Sequence, residues 1–347
     1  MLNEQLKEIF LKNKNAFTDI LGQESSKQGI KSALLMNRHV LIVGPPGIGK
    51  TTLAKNIAKL LPDIEVIEGC SYHCTPEAPV CPSCKQNTKH KTEMLQGTKL
   101  FVRIQGSPDL TVEDLLGDID PIKALKFGPL SLEAFTPGKI FKANNGVLFF
   151  DELNRCPEKL QNALLQVLEE GKATIGSYDV DFDISFIFIG TMNPEDTSTE
   201  KLSDVLLDRF DIIYMDYPEN IDVEKKIVTM KGKKITNVSD EILTLMIHLI
   251  RLLRNDEKLE KKPSIRASIG LYERSQSNAL LKSRKNVQVE DIKDVIVSVL
   301  SHRLRLKPSV RYLESIDNYI KEQFHKHIEL TKWQNHLEEE QKSGDYR

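Results

Sequence analysis

Apolar residues along the chain follow two different rhythms. Through about residue 215, short all-apolar runs alternate with stretches of helical spacing. The runs are HVLIV (39 to 43), FVRIQ (101 to 105), GVLFFDE (146 to 152) and FIFIGTMN (186 to 193). Such a run, bounded by a loop and followed by a helix, predicts a strand buried on both faces of a parallel sheet. Helical spacing covers residues 3 to 12 and 23 to 35, and Leu160, Ala163, Leu164, Val167 and Leu168 line one helical face. KATIGSYDVDFDI (172 to 184) predicts a hairpin that runs on through Phe182, Ile184 and Phe186 into the fourth strand. Strands alternating with helices predict an α/β domain whose parallel sheet is covered by helices.

After MDYPEN (215 to 220) the period changes to 3.6 throughout. Helices are expected over 239 to 254, 264 to 284 and 289 to 302, with Ser239 and Ser264 as N-caps. Leu313, Ile316, Ile320, Phe324 and Ile328 predict one long amphipathic helix whose polar end, EEEQKSGDYR, frays. The expected organisation is an α/β core over 1 to 218, a smaller all-α domain over 219 to 312, and a C-terminal helix and tail over 313 to 347.

Composition narrows the function classes. The 347 residues suffice for two domains, and 40% hydrophobic with 28% charged is ordinary for a soluble globular chain. A net charge of −2 gives no global basic field for nucleic acid or a membrane. KGKK (231 to 234), KLEKKPSIR (258 to 266) and HRLRLKPSVR (302 to 311) are locally basic but lack interleaved aromatics, so they read as solvated faces and nucleic acid is not the expected partner. No apolar run approaches the ~20 residues of a membrane span. The N-terminal MLNEQLKEIFLKNKN lacks a signal-peptide core, so the expected location is cytoplasmic.

Chemistry concentrates at strand ends. Gly44, Pro45, Pro46, Gly47, Ile48, Gly49, Lys50, Thr51 and Thr52 form GPPGIGKTT, a match to G-x-x-x-x-G-K-[ST] between a strand and a helix. Its backbone N–H groups would cradle phosphates at a helix N-terminus, with Lys50 on the β- and γ-phosphates and the Thr51 hydroxyl on Mg²⁺. Asp151 and Glu152 end the apolar run GVLFFDE. In P-loop ATPases such an Asp holds Mg²⁺ and a following acid can polarise the attacking water. Asn193 ends the next run and is a candidate to position water, where a plain turn residue is the bland alternative.

Taken together, ILGQE (20 to 24), GPPGIGKTT, FVRIQGSPDLTVEDLLG (101 to 117), DELNRCPEKLQNALLQVLEEGKATI (151 to 175), TMNPED (191 to 196) and LLDRFD (206 to 211) resemble AAA+ ATPases. The chain is similar to the branch that contains the MoxR proteins and the ATPase subunit of magnesium chelatase. The resemblance implies a ring, a hexamer, with ATP between subunits and Arg209 reaching the neighbour's γ-phosphate. A local salt bridge of Arg209 with Asp208 or Asp211 is the plainer alternative. It further implies that Arg266, in SIRAS, touches the γ-phosphate in cis and that Gly22 and Gln23 pack against adenine. The expected work is remodelling of a protein client, for metal or cofactor insertion or complex maturation, with a von Willebrand A domain protein as partner. A DNA-acting motor and a nucleotide-gated scaffold are the alternatives.

GCSYHCTPEAPVCPSCK (69 to 85) holds Cys70, Cys74, Cys81 and Cys84 in a segment otherwise poor in core-forming residues. Thiolate pairs two to four residues apart can close on one tetrahedral Zn²⁺, and the metal could supply the missing folding energy. Structural Zn²⁺ is read first; an iron–sulfur cluster, or a disulfide or free thiols, remain as alternatives. His73 is a bystander or a substitute ligand. Four thiolates leave no open position for catalysis, so the cluster is expected to staple an insertion over about 69 to 93. Cys156 is expected as a small apolar residue on a helix.

Overall fold

A computed structural model describes residues 2–12, 16–87, 89–129, 131–175, 180–194 and 202–344. Its contacts divide the chain into two units, Met1–Asp216 and Tyr217–Arg347.

The first unit contains β1 (His39–Val43), β2 (Ile64–Ile67), β3 (Thr92–Leu95), β4 (Phe101–Gln105), β5 (Gly117–Ile119), β6 (Phe135–Pro137), β7 (Val147–Asp151), β8 (Lys172–Ile175), β9 (Val180–Asp183), β10 (Ile187–Met192) and β11 (Phe210–Tyr214). Five of these form one all-parallel sheet in the order β11-β1-β10-β7-β4. Leu41, Ile42, Leu148, Phe149 and Phe150 are fully buried in it, as continuous apolar strands between helical layers must be. The fifth strand, FDIIY, is not evident from apolar runs because it lies at the sheet's edge. There Ile212 and Tyr214 are exposed and Asp211 interrupts the pattern.

The hairpin expected over 172 to 184 is present as β8 paired antiparallel with β9, its residues 176–179 lying outside the described ones. Cys156 is buried but not helical. It follows the 3₁₀ turn Leu153–Arg155 in extended conformation, because Pro157 behind it disfavours the α region.

A smaller antiparallel ribbon, β2 with β3, leaves the core and carries the cysteine segment at its tip. The ribbon continues into that segment through Ile67 N–H to the Cys74 carbonyl at 2.8 Å and Glu68 N–H to the Lys91 carbonyl at 2.9 Å. A second ribbon pairs β5 with β6.

In the second unit, helices Ile221–Lys231, Asp240–Asn255, Ile265–Leu281, Val289–Leu300 and Ile316–Gly344 are joined by the short ribbon of β12 (Leu259–Lys261) and β13 (Arg305–Leu306). Ser239 caps its helix by accepting from the Ile242 N–H at 3.3 Å, whereas Ser264 occupies the N-cap position without a side-chain bond. The last helix begins after Leu313, which is exposed, and buries Tyr319, Ile320 and Phe324 in the same core as Met246, Ile250 and Ile296. Tyr319, Ile320 and Phe324, past 312, are therefore part of this unit's core.

Candidate functional site

Parallel strands deliver their carboxyl ends to one edge of the sheet, and the glycine-rich loop leaves β1 there. Gly47 (φ 77°) and Gly49 (φ 107°) take left-handed backbone that lets the chain curl, and the helix Lys50–Leu60 starts immediately afterwards. Gly44 is sterically required: a Cβ there would lie 2.2 Å from the Met215 carbonyl oxygen. Lys50 Nζ lies within the loop's curve, donating to the carbonyls of Gly44 and Pro45. The Thr51 and Thr52 side chains follow in the helix's first turn.

Asp151 ends β7 and Glu152 follows it, two strands from β1, with β10 between them. Asp151 is gripped from both sides. Its Oδ1 accepts from Thr191 Oγ1 at 2.7 Å, and its Oδ2 meets Arg103 Nη2 at 2.6 Å. Glu152 is held in left-handed backbone (φ 55°, ψ 52°) by its own N–H, which donates to the same Thr191 hydroxyl at 2.9 Å. The Glu152 carboxylate accepts from Gln105 Nε2 at 2.9 Å and lies 3.3 Å from Arg155. Asn193 follows the last residue of β10, two positions beyond Thr191 and on the same sheet edge.

The segment before the first core helix closes on this edge. Gly22 (φ 67°) and Gln23 (φ 61°) are both left-handed, and Gln23 Nε2 donates to the Asp216 carbonyl. Ile20 Cδ1 lies 3.3 Å from where a Gly49 Cβ would sit, so this segment borders the phosphate loop. Ser26 fixes the following helix to β11 by donating to the Tyr214 carbonyl at 2.7 Å.

Arg209 stands apart, just before β11. Its guanidinium pairs with Glu169 at 2.9 Å and with Asp208 at 3.4 Å, while Asp211 pairs with Arg38 instead. Arg266 belongs to the second unit, exposed in the first turn of its helix.

Cys70, Cys74, Cys81 and Cys84 converge, their sulfurs all within 4.8 Å of one another, and could hold a metal ion. Cys84 Sγ lies 3.6 Å and Cys81 Sγ 3.9 Å from Cys70 Sγ; all are free thiols, so a disulfide is not formed. Backbone N–H groups of Val80 and Cys81 point at Cys74 Sγ, and that of Cys84 at Cys81 Sγ, at 3.2 to 3.4 Å. Hydrogen bonds from the Cys74 and Cys81 thiols hold Cys70 far below the usual thiol range, while burial pushes Cys84 up to about 12. The loop is anchored to the core through Asn144 and Asn145, which donate to the carbonyls of Tyr72 and His73, and through the Tyr72 ring packed 5.1 Å from Phe141. His73 is not among the converging groups.

Residues 83–212 match the family model of the ATPase family associated with various cellular activities (AAA), residues 16–91 that of magnesium chelatase, subunit ChlI, and residues 251–318 that of the AAA lid domain. The magnesium-chelatase subunit ChlI homolog of Methanocaldococcus jannaschii is 30% identical over 349 residues, spanning 89% of this chain and 92% of that protein. The chain belongs to the ChlI family of AAA+ ATPases. ChlI of Nephroselmis olivacea is 31% identical over 350 residues, spanning 91% of this chain and 93% of that protein. A cryo-EM-based structure of the BchI–BchD complex of magnesium chelatase aligns with TM-score 0.48 and 23% identity, covering 85% of this chain and 98% of that one.

As a member of the ChlI family the protein is an ATPase. The resemblance read from its motifs is thereby shown. Among the described residues no helix is long and apolar enough to cross a membrane. Three residues at the acid pair were not singled out from sequence: Arg103, Gln105 and Thr191. The available signal was a lone polar group at the end of an apolar strand: Thr191 after FIFIG, and Arg103 and Gln105 alternating on FVRIQ.

Proposed function

We propose that this ChlI-family ATPase binds Mg²⁺–ATP at the carboxyl ends of β1, β10 and β7. It hydrolyses ATP as a ring, a hexamer, and uses the cycle to remodel a protein client for metal or cofactor insertion or complex maturation. The observation that carries this reading is the adjacency of three strand ends bearing Lys50, Thr191 with Asn193, and Asp151 with Glu152. A crevice at the carboxyl ends of parallel strands is where α/β sheets bind ligands.

The curled backbone of Gly44 to Gly49 would receive phosphate oxygens, with Lys50 as the cation beside them and Gly22 and Gln23 bordering the adenine end. Thr51 and Asp151 would hold Mg²⁺, which when bound neutralises charge on the phosphates. Glu152 would accept the proton of the attacking water, positioned by Asn193. Arg209, held in a single chain by exposed acids, would be released to stabilise charge on a neighbour's γ-phosphate, and Arg266 would touch its own chain's γ-phosphate in cis. The client's partner subunit would carry a von Willebrand A domain, and the free thiols suit a reducing, cytoplasmic location.

At the cysteine cluster the ion we assign is Zn²⁺. A tetrahedral ion at a Zn–S distance of about 2.3 Å sets its sulfurs about 3.8 Å apart. The 3.6 and 3.9 Å separations suit that edge, whereas a multi-iron cluster spreads its thiolates wider.

The test is turnover by Glu152→Gln, where hydrolysis should fall ~10²–10⁴-fold with nucleotide binding kept. Undiminished turnover would remove Glu152 from the mechanism. Strong stimulation of the unmodified protein by DNA, collapsing with salt, would replace client remodelling with a DNA motor.

A further inference from the structure

A cavity of about 440 Å³ lies against β4, an edge strand of the sheet. Lys99, Arg103, Lys139, Lys142, His73 and Ser71 line it beside two apolar residues of β4, and among the described residues no carboxylate does. Among the described residues Lys99, Lys139 and Lys142 make no ion pair, although the chain carries 50 acidic residues against 48 basic ones. Four permanent cations around one concavity repel one another, and the concave wall focuses their field. In the wall the His73 ring meets the Lys142 backbone carbonyl, and its Nδ1 is buried without a hydrogen-bond partner among the described residues. His73 itself is held in left-handed backbone (φ 47°) in the loop that the cysteine cluster closes.

We propose that this cavity binds a phosphate-bearing small molecule and that the ligand controls Asp151 through Arg103. A multiply charged tetrahedral oxyanion is the chemistry that three ammonium groups and one guanidinium can satisfy together. The volume exceeds that of a bare ion and falls within the range of small-ligand pockets. Arg103 both lines the cavity and holds Asp151 Oδ2 at 2.6 Å. An anion in the cavity draws that guanidinium toward itself and loosens its hold on Asp151. The carboxylate is then more available to a cation, so ligand and Mg²⁺ favour each other's binding, reciprocally. The cysteine-rich insertion acquires a role as well, since it supplies the wall bearing Ser71 and His73. The control of Asp151 rests on its proposed role as a Mg²⁺ ligand, whereas the anion site itself does not.

The test titrates inorganic phosphate into the full chain by calorimetry, with the glycine-rich loop first saturated by a non-hydrolysable ATP analogue. One phosphate per chain is expected, bound at least ~10-fold more weakly by Lys99→Glu/Lys142→Glu, two exposed positions. The Mg²⁺ midpoint for analogue binding should fall ~5-fold or more when phosphate is present, and not in the variant. Absent binding, or binding indifferent to the charge reversal, overturns the site. A midpoint that phosphate does not move overturns its control of Asp151. Failure of the analogue to bind would count against the nucleotide reading alone, because the charge-reversed variant still reports on the cavity.

Discussion

Thr191 Oγ1 donates to Asp151 Oδ1 at 2.7 Å and accepts from the Glu152 N–H at 2.9 Å, so one fully buried hydroxyl fixes both acids of the pair. Thr191→Val keeps the shape and removes both bonds, leaving the part-buried Glu152 N–H and an Asp151 carboxylate oxygen without this partner. A stability loss of about 1–3 kcal/mol is expected in urea denaturation, together with a higher Mg²⁺ requirement for hydrolysis. Unchanged denaturation and an unchanged Mg²⁺ profile would show that the hydroxyl is dispensable.

Arg209 is paired with Glu169 and Asp208, whose side chains are 53% and 82% exposed. Ion pairs with such exposed acids contribute little, so the guanidinium is easily released to another partner. Arg209→Ala should bind ATP normally and lose ~10³-fold or more in turnover. Mixing it with Lys50→Ala, also inactive alone, should restore part of the activity, since each chain supplies what the other lacks. Failure to complement would confine Arg209 to its local ion pairs.

The converging sulfurs should retain one metal ion per chain through purification, read by elemental analysis. Cys81→Ser/Cys84→Ser should lose the ion and open residues 69 to 93 to limited proteolysis, because the segment has little other core. Zinc-free protein with an intact, protease-resistant insertion would show that the thiols pack on their own.

In the second unit Glu224 is fully buried against Arg254, which reaches it with two nitrogens at 2.7 and 2.9 Å, while Ser268 donates to it at 2.8 Å. Glu224→Ala leaves Arg254 without its counter-charge and should cost about 3–5 kcal/mol. Replacing both by Met should cost distinctly less, a comparison that denaturation of the three proteins decides.

His327 is buried beside His248, their rings 5.0 Å apart, and burial first, then that neighbour, lowers its pKa below the ordinary 6.5. The unfolded chain therefore binds its proton at higher pH than the folded one does. Stability should be constant above the unfolded value and decline as the pH falls from about 6.5 through the lowered folded value. In His327→Phe that part of the decline should vanish; an unaltered pH profile would assign it to other groups.

Much of this was legible in order along the chain. The apolar runs ending in GPPGIGKTT, in Asp151–Glu152 and in TMN each imply a buried strand with chemistry at its carboxyl end, because a strand covered on both faces tolerates polar groups only where it emerges. The cysteine spacing likewise announces a chelating loop, since a short tether keeps thiolates within reach of one another. What the order of residues leaves open is which strands become neighbours. The arrangement β11-β1-β10-β7-β4 brings Thr191 to acids 40 and 39 positions earlier, and Arg103 to an acid 48 positions later. The edge strand β11 escapes a hydrophobicity pattern because half of it faces water. Glu224 and Arg254, 30 positions apart, read as surface charges until helix packing removes both from solvent. Local sequence sets which backbone each segment adopts, and only tertiary packing decides which polar groups are left to satisfy one another.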